Sequence, residues 1–230
     1  IPANGLVMIP EARAGCVCLF SIASTIVMEP RPPRRPWGIY SGVGTATPVR
    51  QLALNLGAPG DRRDATGKLW LSYPRPKSPK TTGLELNLNL GESFVAGGKF
   101  VSDDGDTSVG SAKPAAWVFS SSASGIKKCQ LPLRGTGDKP GRYAVKLYFS
   151  SGTPDSKKTS SPGQRVFDVR VQGQVVLKNV DAAKASKDGT IVHEIPNVAV
   201  TNDLTIELVP RSEGQPMLSG IEVSEIPAGR

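Results

Sequence analysis

Histidine is nearly absent: His193 is the only one in 230 residues. A metal centre built from several imidazoles is therefore excluded. His193 itself lies in the run IVHEI, alternating with apolar positions, with no nucleophile and orienting acid beside it. It reads as a strand histidine and not as the base of a hydrolase triad. Cysteine is scarce too. Cys16-Val17-Cys18 is too short for CxxC redox chemistry and is not the CxxCH of a c-type haem site, and Cys129 stands apart. One disulfide plus a free thiol, as in an exported protein, and three buried reduced thiols are both open readings.

Long apolar runs are missing. No stretch of 18 apolar residues occurs, so no membrane-spanning helix is expected. A helical stripe is missing as well, and the 20 Pro and 25 Gly favour many turns over long helices. No G-x-x-x-x-G-K-[ST] or G-x-G-x-x-G stretch follows a strand, which removes support for nucleotide binding. Asp103-Asp104-Gly105-Asp106 gathers hard oxygens that suit Ca²⁺, but it does not follow the twelve-residue EF-hand pattern, and an acidic turn is the commoner explanation. No metal or other cofactor is expected.

The charge is +8 and lopsided. Residues 1–80 hold 11 Lys/Arg against 4 Asp/Glu, and the remainder 17 against 16. Nucleic-acid binding needs a basic face interleaved with aromatics. Arg31, Arg34 and Arg35 lie instead in the Pro-rich stretch EPRPPRRPW, and Arg62-Arg63 in an expected loop. A solvated or acid-facing surface is the reading, with no nucleic-acid partner.

What is present is β-pattern. In Arg165–Asp181, Phe167, Val169 and Val171 alternate with Val166, Asp168 and Arg170, the period of a half-buried strand. Gln172-Gly173 then connects to a second run of β-formers, Gln174–Val180. A two-residue connection with Gly predicts a tight hairpin. Tyr143–Phe149 alternates cleanly. Further strands are expected at Leu52–Asn55, Gly67–Tyr73, Leu84–Leu90, Ala115–Ser120, Gly125–Leu133, Ile191–Ile195, Val198–Val200, Leu204–Val209 and Ile221–Val223. Gly97–Ser111 and Ser150–Gly163 read as loops, and Asp181–Lys187 as the one helical turn. Four Pro within Glu29–Trp37 exclude helix and central strand, so a domain boundary is placed there: 1–36 as an N-terminal segment and 37–230 as the main domain.

Two segments carry a resemblance. The hairpin phrase Val166, Phe167, Asp168, Val169, Val171, Gly173, Val176 and Asp181 resembles the signature hairpin of malectin and malectin-like domains. The stretch LALNLGAPGDRRDATGKLW, through Asn55, Gly57, Asp64, Gly67 and Trp70, is similar to their opening. Gly141 and Tyr143 fit the strand before the hairpin, and QPMLSGIEV resembles the last strand, so the likeness spans about Leu52–Ile226. It implies an all-β fold: an antiparallel β-sandwich of jelly-roll type, here with an extra N-terminal strand segment. Several such domains bind carbohydrate. The family's sugar-binding set does not carry over intact. Where malectin has a Tyr-Phe pair, Ser150–Asp155 has no aromatic; its late-loop Asp falls near Glu213–Gln215; its early-loop Tyr is replaced at best by Phe94 or Phe100. The ligand contacts expected here are Phe100, Tyr148, Glu213 and Gln215, because rings stack on sugar faces and polar groups meet the hydroxyls.

GCVCLFSIASTIVM, residues 15–28, is similar to the closing strands of quinoprotein-like β-propellers, which implies a remnant of an upstream propeller followed by a Pro/Arg-rich linker. The chain reads as a fragment or processed piece, so a missing signal peptide is silent on export. The resulting expectation is a non-catalytic carbohydrate-binding module of an exported bacterial multidomain protein, periplasmic or extracellular, taking an oligosaccharide or polysaccharide such as a glucan. The alternatives are a module that docks on its upstream domain without binding sugar and, behind both, a glycoside hydrolase using two facing acids among Asp168, Asp181, Glu194, Glu207 and Glu222.

Overall fold

The computed structural model describes residues 2–3, 6–9, 26–28, 37–38, 47–75, 94–102, 115–152, 161–186 and 188–227. The expected strand Leu84–Leu90, the acidic turn Asp103–Asp106, Cys16, Cys18 and most of the Pro/Arg-rich stretch lie outside them. The chain divides into two compact units, Ile1–Pro36 and Trp37–Arg230. In the first, β1 (Pro2–Ala3), β2 (Leu6–Ile9) and β3 (Ile26–Met28) pair antiparallel in that order.

The second unit runs β4 (Gln51–Leu56), β5 (Arg62–Arg63), β6 (Leu69–Tyr73), β7 (Phe94–Val101), a 3-10 helix (Ala116–Ser120), β8 (Ser122–Ile126), β9 (Lys128–Pro132) and β10 (Gly141–Ser150). It continues with β11 (Phe167–Val171), β12 (Gln174–Val180), α1 (Ala182–Ala185), β13 (Thr190–Val200), β14 (Asp203–Pro210), β15 (Met217–Leu218) and β16 (Gly220–Ile226). One sheet is ordered β13-β10-β16-β4-β6-β5, a second β12-β11-β14-β9, and a third, smaller one β15-β8-β7. Pairing is antiparallel except between β4 and β6. This is the expected all-β sandwich.

Alternation builds the core. Tyr143, Val145, Leu147 and Phe149 of β10, Leu52, Leu54 and Leu56 of β4, and Ile221 and Val223 of β16 face Phe167, Val169 and Val171 of β11 and Leu204, Ile206 and Leu208 of β14. The chain connects β11 and β12 through Gln172 at φ 50 and Gly173 at φ 77, both left-handed, as a primed two-residue turn requires.

Five expectations change. Ala115–Ser120 is not a strand: its five residues from Ala116 wind into the 3-10 helix, because Trp117 and Val118 pack against Ala53 and Trp70 on the outer face of the six-stranded sheet. Gly125–Leu133 is two strands, since the chain leaves one sheet at Ile126 and joins another at Lys128. The loop expected from Gly97 begins later, because Phe94–Val101 pairs with β8. Ile191–Ile195 and Val198–Val200 are one strand, β13, interrupted by a bulge at Pro196-Asn197, with Asn197 at φ 63. A proline is tolerated there because β13 is an edge strand. Arg62-Arg63 also proves to be a short strand, paired with Trp70 and Leu69.

Candidate functional site

The registers bring several chain crossings to one end of the sandwich. Tyr148 of β10 stands opposite Gly220, where β16 begins, and Gly220 stands opposite Asn55, where β4 is ending. Leu56 pairs with Tyr73 at the end of β6, and Ser150 with Thr190 at the start of β13. Phe167, opening β11, faces Pro210, closing β14. Val101 and Ser122 join them through Gly57. A Cβ on Gly57 would lie 2.4 Å from the Val101 carbonyl oxygen, and its φ is +79, so only glycine fits. This explains the Asn-x-Gly spacing read in the sequence.

This upper end is lined by buried polar side chains. Asn55, Ser121, Ser122, Ser150, Ser151 and Ser219 are all buried. Ser121 Oγ donates to Asn55 Oδ1 at 3.0 Å, and Ser219 Oγ lies 3.4 Å from Ser150 Oγ. Asn55 Nδ2 and Ser122 Oγ are buried without a hydrogen-bond partner among the described residues. A buried donor left unmade costs on the order of 1–3 kcal/mol, so such groups are usually met by a water or a ligand.

The expected ligand contacts sit differently from one another. Phe100 is half-buried, its ring 5.7 Å from Tyr73 and 5.4 Å from Phe94, both edge-on, and it packs on the core. Gln215 bridges two elements: its Oε1 accepts from Ser124 Oγ at 3.2 Å and its Nε2 donates to the Ala96 carbonyl at 3.2 Å. Glu213 is exposed beside it on the loop between β14 and β15. Tyr148 points to the outer face of the six-stranded sheet. Its hydroxyl donates to Glu222 Oε2 at 3.0 Å, and its ring meets Trp70 edge-on at 5.1 Å and Phe119 at 5.8 Å. Burial, and then the Glu222 carboxylate, raises the Tyr148 phenol well above its ordinary range. Phe100 and Gln215 thus share the β7–β8 region, whereas Tyr148 belongs to a separate aromatic pile.

That pile went unread in the sequence. Trp117 meets Trp37 at 5.3 Å and Trp70 at 6.0 Å, both edge-on, and the Arg62 guanidinium lies 4.8 Å from the Trp117 ring and 5.0 Å from Trp37. The residues meet only after folding, and three scattered Trp carry no spacing signal. Each buried carboxylate among the described residues is engaged. Asp61 takes a two-pronged hydrogen bond from Arg75 and further ones from Ser72. Asp168 pairs with Arg211, and Glu222 with Lys68 and Tyr148. His193 is half-buried against Phe149, and burial lowers its pKa. No group of three or more His, Cys, Asp or Glu suited to a metal ion occurs among the described residues. Among them, too, no helix is long and apolar enough to cross a membrane.

Comparison with solved structures returns a Bacteroides uniformis beta-glucuronidase at TM-score 0.57 and 15% identity, covering 96% of this chain and 26% of that one. The extracellular domain of ANXUR1 from Arabidopsis thaliana follows at TM-score 0.52 and 18% identity, covering 77% of this chain and 42% of that one. The plant receptor-like kinase FER gives TM-score 0.50 and 21% identity with the same coverages, 77% and 42%. At these identities the likeness is one of fold, and this chain spans about a quarter to two fifths of those chains. Comparison with curated proteins gives no match. The propeller-like reading of the N-terminal segment finds no support in these comparisons. The family model of the Malectin domain matches residues 130–221, from within β9 to the start of β16, and the sandwich is malectin-like over that span.

Proposed function

We propose that this chain is a non-catalytic carbohydrate-binding module, carried on an exported bacterial multidomain protein, with its ligand held at the upper end of the sandwich. The observation that carries this reading is the Malectin domain match over residues 130–221, which takes in β10, β11, β13 and β14 of that end. The buried polar lining supports it, since Asn55 Nδ2 and Ser122 Oγ offer hydrogen bonds that nothing in the described protein takes up. In this reading the exposed Glu213 and its neighbour Gln215, on the loop between β14 and β15, supply polar contacts to a sugar's hydroxyls. The non-catalytic part is supported by the packing of the acids: each buried carboxylate among the described residues is engaged, Asp61 by Arg75 and Ser72, Asp168 by Arg211, and Glu222 by Lys68 and Tyr148.

A second reading has one specific observation behind it. The rings of Phe100 and Tyr148 are packed against other aromatics and do not form an open stacking platform. That arrangement suits a module that docks on another domain of its polypeptide and takes no sugar.

A glycan array with the intact chain, followed by calorimetry on each hit, separates the two. Saturable binding of a glucan or related oligosaccharide, weakened about tenfold by Glu213→Ala or Gln215→Ala and without release of reducing sugar, supports the first reading. Silence across the array from a cooperatively folded chain favours docking, and sugar release would overturn the non-catalytic assignment.

A further inference from the structure

A groove of about 560 Å³ lies on the outer face of the six-stranded sheet, away from the upper end. Its walls are Gln51 of β4, Glu222 and Ser224 of β16, and Thr66, Gly67 and Lys68 from the turn between β5 and β6, with the small side chain of Ala53 in its floor. The volume falls within the roughly 300–1,000 Å³ of ligand sites and far exceeds what an ion needs.

The groove is braced on both sides. Asp64 accepts from the Thr66 amide at 2.9 Å, the Thr66 hydroxyl at 2.6 Å, the Lys68 amide at 3.1 Å and the Trp70 indole at 3.2 Å, so the turn wall is held by its own side chain. Glu222, with its side chain only 10% exposed, is held from two directions: Tyr148 donates to one carboxylate oxygen and Lys68 Nζ to the other. Gly67 opens onto free space, with nothing within 4 Å of where a Cβ would stand. A preformed polar wall loses little freedom on binding, the condition for weak hydrogen bonds to yield net affinity.

Charge decides the class of occupant. Across the sheet, Glu194, Lys146, Glu222 and Ala53 form one cross-strand row, so the signs alternate. Lys146 lies 3.4 Å from Glu194, and Lys68 is paired with Glu222. Neither sign prevails, and a charged ligand would have to break an existing pair and leave a nearly buried carboxylate exposed to it. A neutral ligand bearing several hydroxyls meets no such cost. Its hydroxyls donate to the remaining lone pairs of Glu222 and Thr66 Oγ1 and accept from Lys68, Gln51 and Ser224, while its carbon face lies on Ala53.

We propose that this groove is a second binding site, for a neutral sugar ring or short neutral oligosaccharide, with Glu222 and Lys68 as its central acceptor and donor. It does not depend on ligand binding at the upper end. The test is an amide-resolved NMR titration of the intact chain with maltose and cellobiose as neutral probes and with glucuronate and glucosamine as charged ones. Expected are saturable shifts at Gln51, Thr66–Lys68 and Ser224 with the neutral probes, weakened at least tenfold by Gln51→Ala and by Lys68→Ala. Glu222→Gln, which keeps the shape and the bond from Tyr148, weakens them as well. Shifts confined to the amides of 211–219 would overturn the groove and leave the upper-end reading standing. Shifts in the groove only with charged sugars would overturn the neutral class. Silence at both places would overturn the groove and the upper-end site for these sugars, and would leave the Lys68–Glu222 pair as a staple of the turn.

Discussion

Arg211 donates to Asp168 Oδ2 through both Nε, at 2.9 Å, and Nη2, at 2.6 Å, tying the end of β14 to the signature hairpin. The Asn179 amide, in a bulged stretch of β12, donates to the other carboxylate oxygen at 2.9 Å. These bonds, Arg211 first, hold the carboxyl below its ordinary 3.8. A carboxylate with a depressed folded pKa stabilises the fold above its unfolded value, and the contribution disappears as pH falls through the folded one. The native chain is therefore expected to be more stable than Asp168→Asn at neutral pH, with the gap closing below pH 3.8. Urea midpoints across that range measure it, and a gap that stays constant would sink the assignment. Arg211 is 53% exposed, so added salt narrows the neutral-pH gap.

The hairpin turn makes a second prediction. Gly173 sits at φ 77 with nothing within 4 Å of where a Cβ would stand, so strain and not crowding decides the cost of a side chain. Gly173→Ala should lower stability by about 1 kcal/mol. Gln172, also left-handed at φ 50, is held by its own bonds, accepting from the Thr205 amide and donating to the Ala199 and Asp203 carbonyls. Denaturant melts of Gly173→Ala and Gly173→Asn check the account, which requires Asn to be the milder substitution.

Cys129 is fully buried in β9, and burial pushes its thiol up to about 12. A thiol in that state is neither exposed nor ionised near neutrality. In the native chain it should resist iodoacetamide for as long as the sandwich stays closed and react at once in denaturant. Peptide mass spectrometry resolves Cys129 from the other cysteines. Rapid native labelling at Cys129 would contradict the packing described.

Phe100 separates a ligand platform from a core residue. Its ring lies between Tyr73 and Phe94 and on the main core. Phe100→Ala should therefore cost up to about 3 kcal/mol of stability, in the range of large-to-small core changes, and leave sugar affinity unchanged at a temperature where the variant is folded. Loss of affinity with unaltered stability would reverse that assignment.

The hairpin, the β10 strand and the fold class were legible because their signals are local. Period-two alternation puts Tyr143, Val145, Leu147 and Phe149 on one face whatever surrounds them, and a Gly in a two-residue connection announces its own φ. Asp168 shows where that reading stops. Alternation sets it with Val166 and Arg170 on the outward side, yet it is buried, because its partner Arg211 arrives from 43 residues away. The 3-10 helix is the same case: AWVFS is rich in β-formers, but the surface that accepts Trp117 and Val118 exists only once β4 and β6 are assembled.

Sequence by itself determined the hairpin, its tight turn, the β10 strand and the want of a histidine-based centre, since each follows from neighbouring residues or from composition, while the sandwich was implied by the resemblance to malectin-like domains. Tertiary structure alone decided the two candidate sites. The buried polar lining joins Asn55 to Ser121, 66 residues apart, and the groove closes when Lys68 reaches Glu222, 154 residues away. Contacts of that span leave no periodic trace in the chain, because sheet register, not sequence spacing, sets which side chains meet.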